Sequence, residues 1–498
     1  MCDSNYYHLG SKLYLLLAIL VAVLILCLAP LTQSLWVDEA ISYWVASASL
    51  TETFDRAITF QGQSPLYFIL LWVVIQIAGL SEIVLRAPSL ICFFVSCVFL
   101  YRLAEDLFDK ETASISLLLF ICCDGVLRAG FSARPYSAAL MCSLGAMLAL
   151  IYWIRGGKLR HQALYVLLSV GAIYFHYLYA GMLIIHLIYV AFTKPADRAV
   201  TSRQVLAALL VMAVLFLPAI FHVLRLATRE AELAYALMPT AVDLLKSWLP
   251  ITLLVYVITP LVFVWAMFRV TLKQVHLNLR KIGFLVIWWL LPATLFFAYS
   301  HASGHSLFIE RFFLWNVPAL VILAALLLSS VNAPKARVIA VVLACLLIAI
   351  REGDRVWQIE NWAEAVNVIN GFESEQKLPL LAYSGLVESD RIAWLKDEDK
   401  LSYILAPLAY YPVQANHTAL PSNVEAPDRK NYFETEVVSK LRQSDSLLFL
   451  CAYKKRVFED GTQVLVHDYY NKIFSEHGFQ SQALVSKGEV LLFKLDRR

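Results

Sequence analysis

Two adjacent carboxylates, Asp38 and Glu39, stand in the stretch LWVDEAISYW (35–44), just where an apolar run from Leu13 to Leu31 gives out. A carboxylate held against a membrane is partly desolvated, which raises its pKa and makes it a stronger base toward a hydroxyl. Hard oxygen ligands also suit magnesium or manganese. Trp36, Tyr43 and Trp44 surround the pair, and such rings either stack on a sugar or wedge into the headgroup layer. The plainer alternative is a solvated acidic pair that marks a helix end.

The elements that must hold these residues are membrane helices. The 498 residues are 60% hydrophobic and 16% charged, with a mean hydropathy of +0.66, whereas soluble proteins carry about 25% charged residues. Apolar runs long enough to cross a bilayer, about 20 residues each, recur as far as Ile350 and then stop. The chain divides accordingly into a membrane part, 1–351, and a soluble part, 352–498. The first run is long for a signal peptide and lacks a small-x-small cleavage site, so it reads as a retained helix. The net charge of +3 is scattered, with no basic stripe for a phosphodiester backbone, so nucleic acid is not an expected partner. Eight of the nine cysteines lie in or beside apolar runs and Cys451 stands alone in the soluble part. No spacing there resembles a zinc site.

Twelve apolar segments are expected, near 13–31, 65–80, 87–104, 113–128, 136–154, 162–176, 177–193, 204–224, 249–268, 282–300, 313–330 and 336–351. The basic loops IRGGKLRH (154–161) and RVTLKQVHLNLRK (269–281), with 193–203 and 332–337, are placed in the cytoplasm by the positive-inside rule. Counting outward from them puts both ends of 65–80 on one face, and this run is short for a crossing. Demoting it to a juxtamembrane helix leaves about eleven transmembrane helices. The outer face then collects 32–86, 129–136, 176–179, 225–248, 301–312 and the soluble domain. That domain reads as small and α/β. A helical period runs over QIENWAEAVNVI (358–369), and strands are expected over 378–384, 446–453, 462–469 and 488–495.

The ordered set WVDEA (36–40), QSPLYFILL (63–71), LRAPSLI (85–91), ARPYSAAL (133–140), HYLYAGML (176–183), FIERFFLWNVPAL (308–320) and NWAEAVNVI (361–369) resembles the C-type membrane glycosyltransferase superfamily. It is most similar to the protein O-mannosyltransferase and aminoarabinose transferase relatives. The resemblance implies a polyprenyl-phosphate-linked sugar donor, transfer on the extracytoplasmic face with inversion, and a catalytic acid in the first outer loop. That role maps onto Asp38, with Glu39 as the accompanying acid. A lipid phosphosugar already carries its leaving phosphate, so no nucleotide-binding fingerprint is required, and the chain has none.

A donor phosphate calls for guanidinium forks near the outer boundary. Arg134 and Arg311 lie in the matched motifs, and Arg86 is a further candidate; the alternative for each is a snorkelling arginine. Tyr136 is assigned to the phosphate as well, and Trp36, Tyr43, His176 and Tyr177 to substrate, with Gln61 and Gln63 as readers of sugar hydroxyls. For a divalent cation, magnesium or manganese, the candidates are Asp38, Glu310 and His305. The chain departs from its relatives in two places. Gly130-Phe131-Ser132 stands where many have an acid, and Ser64-Pro65 replaces a double proline.

The function expected is therefore a glycosyltransferase, a hexosyl- or pentosyltransferase acting on a lipid, polysaccharide or protein acceptor. The expected site is the outer, periplasmic face of a bacterial inner membrane. The competing class is a polytopic secondary transporter, whose polar groups would cluster at mid-membrane in repeated halves. The polar motifs here gather at one face and no repeat is visible. A noncatalytic lipid-binding scaffold is the third reading.

Overall fold

A computed structural model describes residues 12–21, 31–228, 237–249, 251–271, 278–356, 360–373, 378–457, 463–486 and 488–498. The described chain forms two compact units, one of 1–30, 54–70 and 86–357, the other of 31–53, 71–85 and 358–498. The division expected at 351/352 follows chain order. The compact units group 31–53 and 71–85 with 358–498, and the Leu35 and Val37 N–H groups donate to C-terminal side chains.

Five described helices are long and apolar enough to cross a membrane: Glu82–Leu107, Tyr136–Gly156, Ser202–Leu226, Leu279–Ser303 and Glu310–Ser329. The expected segment 113–128 is not one straight helix. It is Lys110–Cys122 followed by Asp124–Gly130, bent by 70° where Cys123 adopts extended backbone. The first of these is capped by Asp109, whose side chain accepts the Thr112 N–H at 2.8 Å. The expected segment 177–193 likewise breaks into a 3-10 turn, Tyr177–Gly181, and a helix, Met182–Phe192. The run at 65–80 forms a helix of 13 residues, Leu66–Ala78, about 20 Å long at 1.5 Å per residue and short of a bilayer core. Of the expected first segment, 13–31, the part beyond Val21 up to Leu31 lies outside the described residues.

Helices Tyr136–Gly156 and Leu159–Phe175 form an antiparallel hairpin. It turns on Gly157, whose φ of +63° is a left-handed C-cap that a side chain would strain. A buried ion pair, Arg337 to Glu111 at 2.8 Å, ties helix Pro334–Val356 to Lys110–Cys122. The Arg337 guanidinium also donates to the Val331 carbonyl at 2.9 Å.

The second unit is built on a five-stranded mixed sheet of β1 (Leu380–Tyr383), β2 (His417–Ala419), β3 (Ser446–Ala452), β6 (Phe479–Val485) and β7 (Val490–Arg497). Its order is β2-β1-β3-β7-β6, with β2, β1 and β3 parallel and β7 antiparallel to both β3 and β6. A small hairpin, β4 (Lys455–Val457) with β5 (Gln463–Leu465), stands apart. The buried runs of β1 and β3 match the strands expected at 378–384 and 446–453. The strand expected over 462–469 ends at Leu465, and helix Val466–Glu476 follows. It buries Val466, Tyr470 and Phe474, four residues apart on one face. The helix expected from Gln358 is described from Trp362 to Glu373, and it buries Trp362, Ala365, Val366 and Ile369.

Candidate active site

The acidic pair occupies the first turn of helix Val37–Ala46 in the second unit. Trp36 precedes it in extended backbone (φ −81°, ψ 167°). Glu39 is buried, and its Oε2 accepts the Trp36 N–H at 3.3 Å, a carboxylate folding back to cap its own helix. Asp38 is half-buried, and its carbonyl accepts the Ser42 hydroxyl at 3.1 Å. The two acids thus divide by position, one turned to the helix start and the other less enclosed.

Side chains of the C-terminal domain hold the entrance to this helix. The Val37 N–H donates to Glu360 Oε2 at 2.8 Å, and the Leu35 N–H donates to the Tyr411 hydroxyl at 2.9 Å. Burial pushes that hydroxyl up to about 12, so it stays protonated and donates in turn to Glu82 Oε1 at 3.0 Å. The Ala363 N–H donates to Ser34 Oγ at 3.2 Å. Trp44, one of the three aromatics around the acids, is buried. Its indole N–H donates to Ser402 Oγ at 2.9 Å, and its ring meets Tyr403 edge-on at 5.5 Å. Tyr43 packs edge-on against Tyr410 at 4.9 Å. Both rings are therefore engaged in packing. Trp36 is half-buried, and its indole nitrogen has no partner among the described residues.

In the first unit the expected cationic residues converge. Arg134 lies in the turn before helix Tyr136–Gly156, where its carbonyl accepts the Ser89 hydroxyl at 2.9 Å and Ser137 Oγ donates to the Ser89 carbonyl at 2.8 Å. Its guanidinium carbon is 6.0 Å from the centre of the Tyr136 ring. Arg311, in the 3-10 turn Glu310–Asn316, is 6.0 Å from the same ring and 5.7 Å from that of Phe312. His176 completes the cluster, its ring 5.3 Å from Tyr136 and 5.4 Å from Phe312. The Tyr136 hydroxyl and both His176 nitrogens are buried without a hydrogen-bond partner among the described residues. Burying such polar groups unpaired costs roughly 1 to 3 kcal/mol each, so they mark a place suited to a polar ligand.

The other candidates have their own surroundings. Tyr177 is paired with His222 Nδ1 at 2.9 Å. Arg86 is buried in helix Glu82–Leu107. Gln61 Nε2 and Gln63 Oε1 are buried without partners among the described residues. Glu310 is exposed and His305 half-buried, and among the described residues no group of three or more His, Cys, Asp or Glu stands together to hold a metal ion. The turn carrying Arg311 is packed closely from behind. A Cβ on Gly181 would stand 2.9 Å from the Trp315 ring, whose carbonyl accepts the Trp288 indole N–H at 2.8 Å. Glu360 and Tyr411 were not among the expected site residues. Glu360 lies in the helical pattern beginning at Gln358, yet nothing local ties it to Val37, 323 residues earlier.

Residues 62–222 match the family model described as dolichyl-phosphate-mannose-protein mannosyltransferase. No curated protein sequence matches the chain. The crystal structure of ArnT from Cupriavidus metallidurans in the apo state is similar over 97% of this chain and 98% of that one, at 10% identity and a TM-score of 0.55. The same protein bound to undecaprenyl phosphate is similar over 97% of each chain, at 10% identity and a TM-score of 0.51. The Archaeoglobus fulgidus oligosaccharyltransferase in complex with Zn and sulfate is similar over 91% of this chain and 72% of that one, at 13% identity and a TM-score of 0.52. With a mannosyltransferase family match over 62–222 and a shared fold along nearly its whole length, the chain resembles the C-type membrane glycosyltransferases and has their fold.

Proposed function

We propose that this protein is a membrane glycosyltransferase that takes a sugar from a polyprenyl-phosphate-linked donor and passes it to an acceptor hydroxyl on the extracytoplasmic face. The observation that carries the reading is the cluster of Arg134, Arg311, Tyr136 and His176. Two guanidiniums stand 6.0 Å from the centre of one ring, and the buried Tyr136 hydroxyl and His176 nitrogens lack protein partners among the described residues. Such a cluster suits a phosphate, which offers acceptors to the guanidinium forks and to the Tyr136 hydroxyl. The family match over 62–222 and the fold shared with an enzyme captured with undecaprenyl phosphate support a lipid-linked donor.

In the proposed reaction the acceptor oxygen attacks the anomeric carbon from the face opposite the phosphate. The bond from that carbon to the phosphate oxygen breaks, and its electron pair leaves with the polyprenyl phosphate. Arg134 and Arg311 offset the charge that grows on the phosphate, the kind of preorganised electrostatic stabilisation that dominates many enzymes. Asp38 takes the acceptor proton, and a single displacement inverts the anomeric centre. Glu39, committed to its helix start, holds the turn rather than the proton. Gln61 and Gln63 are assigned to sugar hydroxyls, because buried amide atoms left unpaired reject ligands that do not satisfy them.

The test uses the full-length protein in nanodiscs with synthetic undecaprenyl-phosphate-linked hexoses and pentoses. Release of undecaprenyl phosphate together with a glycosylated acceptor supports the reading. Tight binding of every donor with no turnover and no acceptor product contradicts it.

A further inference from the structure

The backbone N–H groups of Leu35, Trp36 and Val37 are three consecutive donors at the mouth of helix Val37–Ala46, where no intrahelical acceptor exists. A different side chain meets each of them: the Tyr411 hydroxyl at 2.9 Å, Glu39 Oε2 at 3.3 Å and Glu360 Oε2 at 2.8 Å. The Glu360 contact is the shortest of the three. Its carboxylate is 4% exposed, and the same oxygen accepts the Trp362 indole N–H at 2.8 Å. The other oxygen lies 3.7 Å from Lys454 Nζ. The carboxylate is therefore held by two other groups before it reaches Val37. A negative group at a helix start also complements the dipole there, and a hydrogen bond to an ionised acceptor is about twice as strong as a neutral one.

We propose that Glu360 is a positioning residue, which fixes the first turn of the helix that carries Asp38 so that the C-terminal domain sets the aim of the acceptor-facing carboxylate. The inference rests on the role assigned to Asp38 above. Asp38 follows Val37 directly, so a first turn freed at the Val37 N–H lets the Asp38 side chain wander. A misplacement of about 1 Å costs on the order of 100-fold in rate. Such a loss falls on kcat, since the donor phosphate is held by other residues.

Two variants act on this contact from opposite ends. Glu360→Gln keeps the shape but removes the charge, and Val37→Pro removes the donor. Proline suits the first helical position, where its missing N–H is not needed by the helix. Trp36 already has the extended backbone that a following proline requires. Val37→Ala keeps the N–H and controls for lost side-chain packing. All are made in the full-length protein in nanodiscs and assayed with whichever synthetic undecaprenyl-phosphate sugar the wild type turns over fastest. Deuterium exchange of the peptide 35–46 and the thermal midpoint are measured alongside.

In both Glu360→Gln and Val37→Pro, kcat is expected to fall about 10- to 100-fold, with donor KM within about 2-fold and faster exchange confined to 35–46. Val37→Ala is expected to stay near wild type. A kcat loss in only one of the two variants, in neither, or equally in Val37→Ala overturns the inference, as does a loss explained wholly by a lowered midpoint. Asp38→Asn separates the two readings. If it abolishes transfer while Glu360→Gln and Val37→Pro stay fully active, only the inference falls; if it transfers at the wild-type rate, the role of Asp38 itself falls.

Discussion

The guanidinium carbons of Arg134 and Arg311 lie at the same distance, 6.0 Å, from the centre of the Tyr136 ring. The two arginines are 177 positions apart in the chain. One precedes a helix and the other sits in a 3-10 turn, yet both stand beside the same ring. A donor phosphate beside that ring would lie within reach of two guanidinium forks, the groups best shaped to grip it.

Replacing Arg134 or Arg311 by Met is therefore expected to weaken donor binding by about 10- to 100-fold each, in line with roughly 1.5 to 3 kcal/mol for a hydrogen bond to a charged group. Lysine at either position should recover only part of this, since it keeps the charge and loses the planar fork. Titration of nanodisc-embedded protein with a fluorescent undecaprenyl-phosphate sugar measures both effects.

Tyr136→Phe should separate binding from stability. The hydroxyl is buried with no protein partner among the described residues, so deleting it is expected to leave the thermal midpoint unchanged or raised. Donor affinity is expected to drop by about 10-fold because a phosphate contact is lost. A lowered midpoint with unchanged affinity would show that the hydroxyl is structural.

How far these residues were legible in the sequence follows from how each is held. Arg134, Tyr136, His176 and Arg311 sit in recognisable ordered motifs, and those stretches come together in the first unit. Asp38 and Glu39 stand out as a charged pair at the end of an apolar run. The separation of their roles is another matter, because it depends on Glu39 turning back to the Trp36 N–H. Glu360 was hidden altogether, since a side chain that caps a helix 323 residues away leaves no local period or spacing. The break at Cys123 was similarly unannounced: no proline interrupts 113–128, and the kink falls just before Asp124, an acid inside an apolar run that pairs with Arg128. The false strand beyond Leu465 arose because Gln-Val-Leu-Val favours a strand by composition. The four-residue spacing of Val466, Tyr470 and Phe474 then carries the chain into a helix.

Gly181→Ala tests the packing behind Arg311. Its Cβ would meet the Trp315 ring at 2.9 Å, an overpacking expected to cost about 1 to 3 kcal/mol. The thermal midpoint in detergent reads this directly, and a midpoint equal to wild type would mean that the turn relaxes freely.

Burial holds the Glu360 carboxyl above its ordinary range, while Lys454 and the N–H donors of Trp362 and Val37 pull it down and Glu489 pushes it up. A carboxyl raised in the folded protein binds its proton more readily than in the unfolded chain. Its ionisation therefore costs stability as pH rises through the window between the ordinary value of about 4.5 and the folded one. Lys454→Met removes the nearest compensating cation and should move that window upward. The expected result is a transfer rate that declines at a higher pH on the acid side than in the wild type, measured as kcat between about pH 5 and 8. Superimposable acid limbs would show that Lys454 does not support the ionised carboxylate.

The most direct measurement is kcat for sugar transfer by Asp38→Asn in nanodiscs, with the synthetic undecaprenyl-phosphate sugar that the wild type uses best. Removal of a general base predicts a fall of about 100- to 10,000-fold, with donor KM and the thermal midpoint near wild type. A kcat within about 3-fold of wild type would contradict the account, because that is far less than removal of a base should cost.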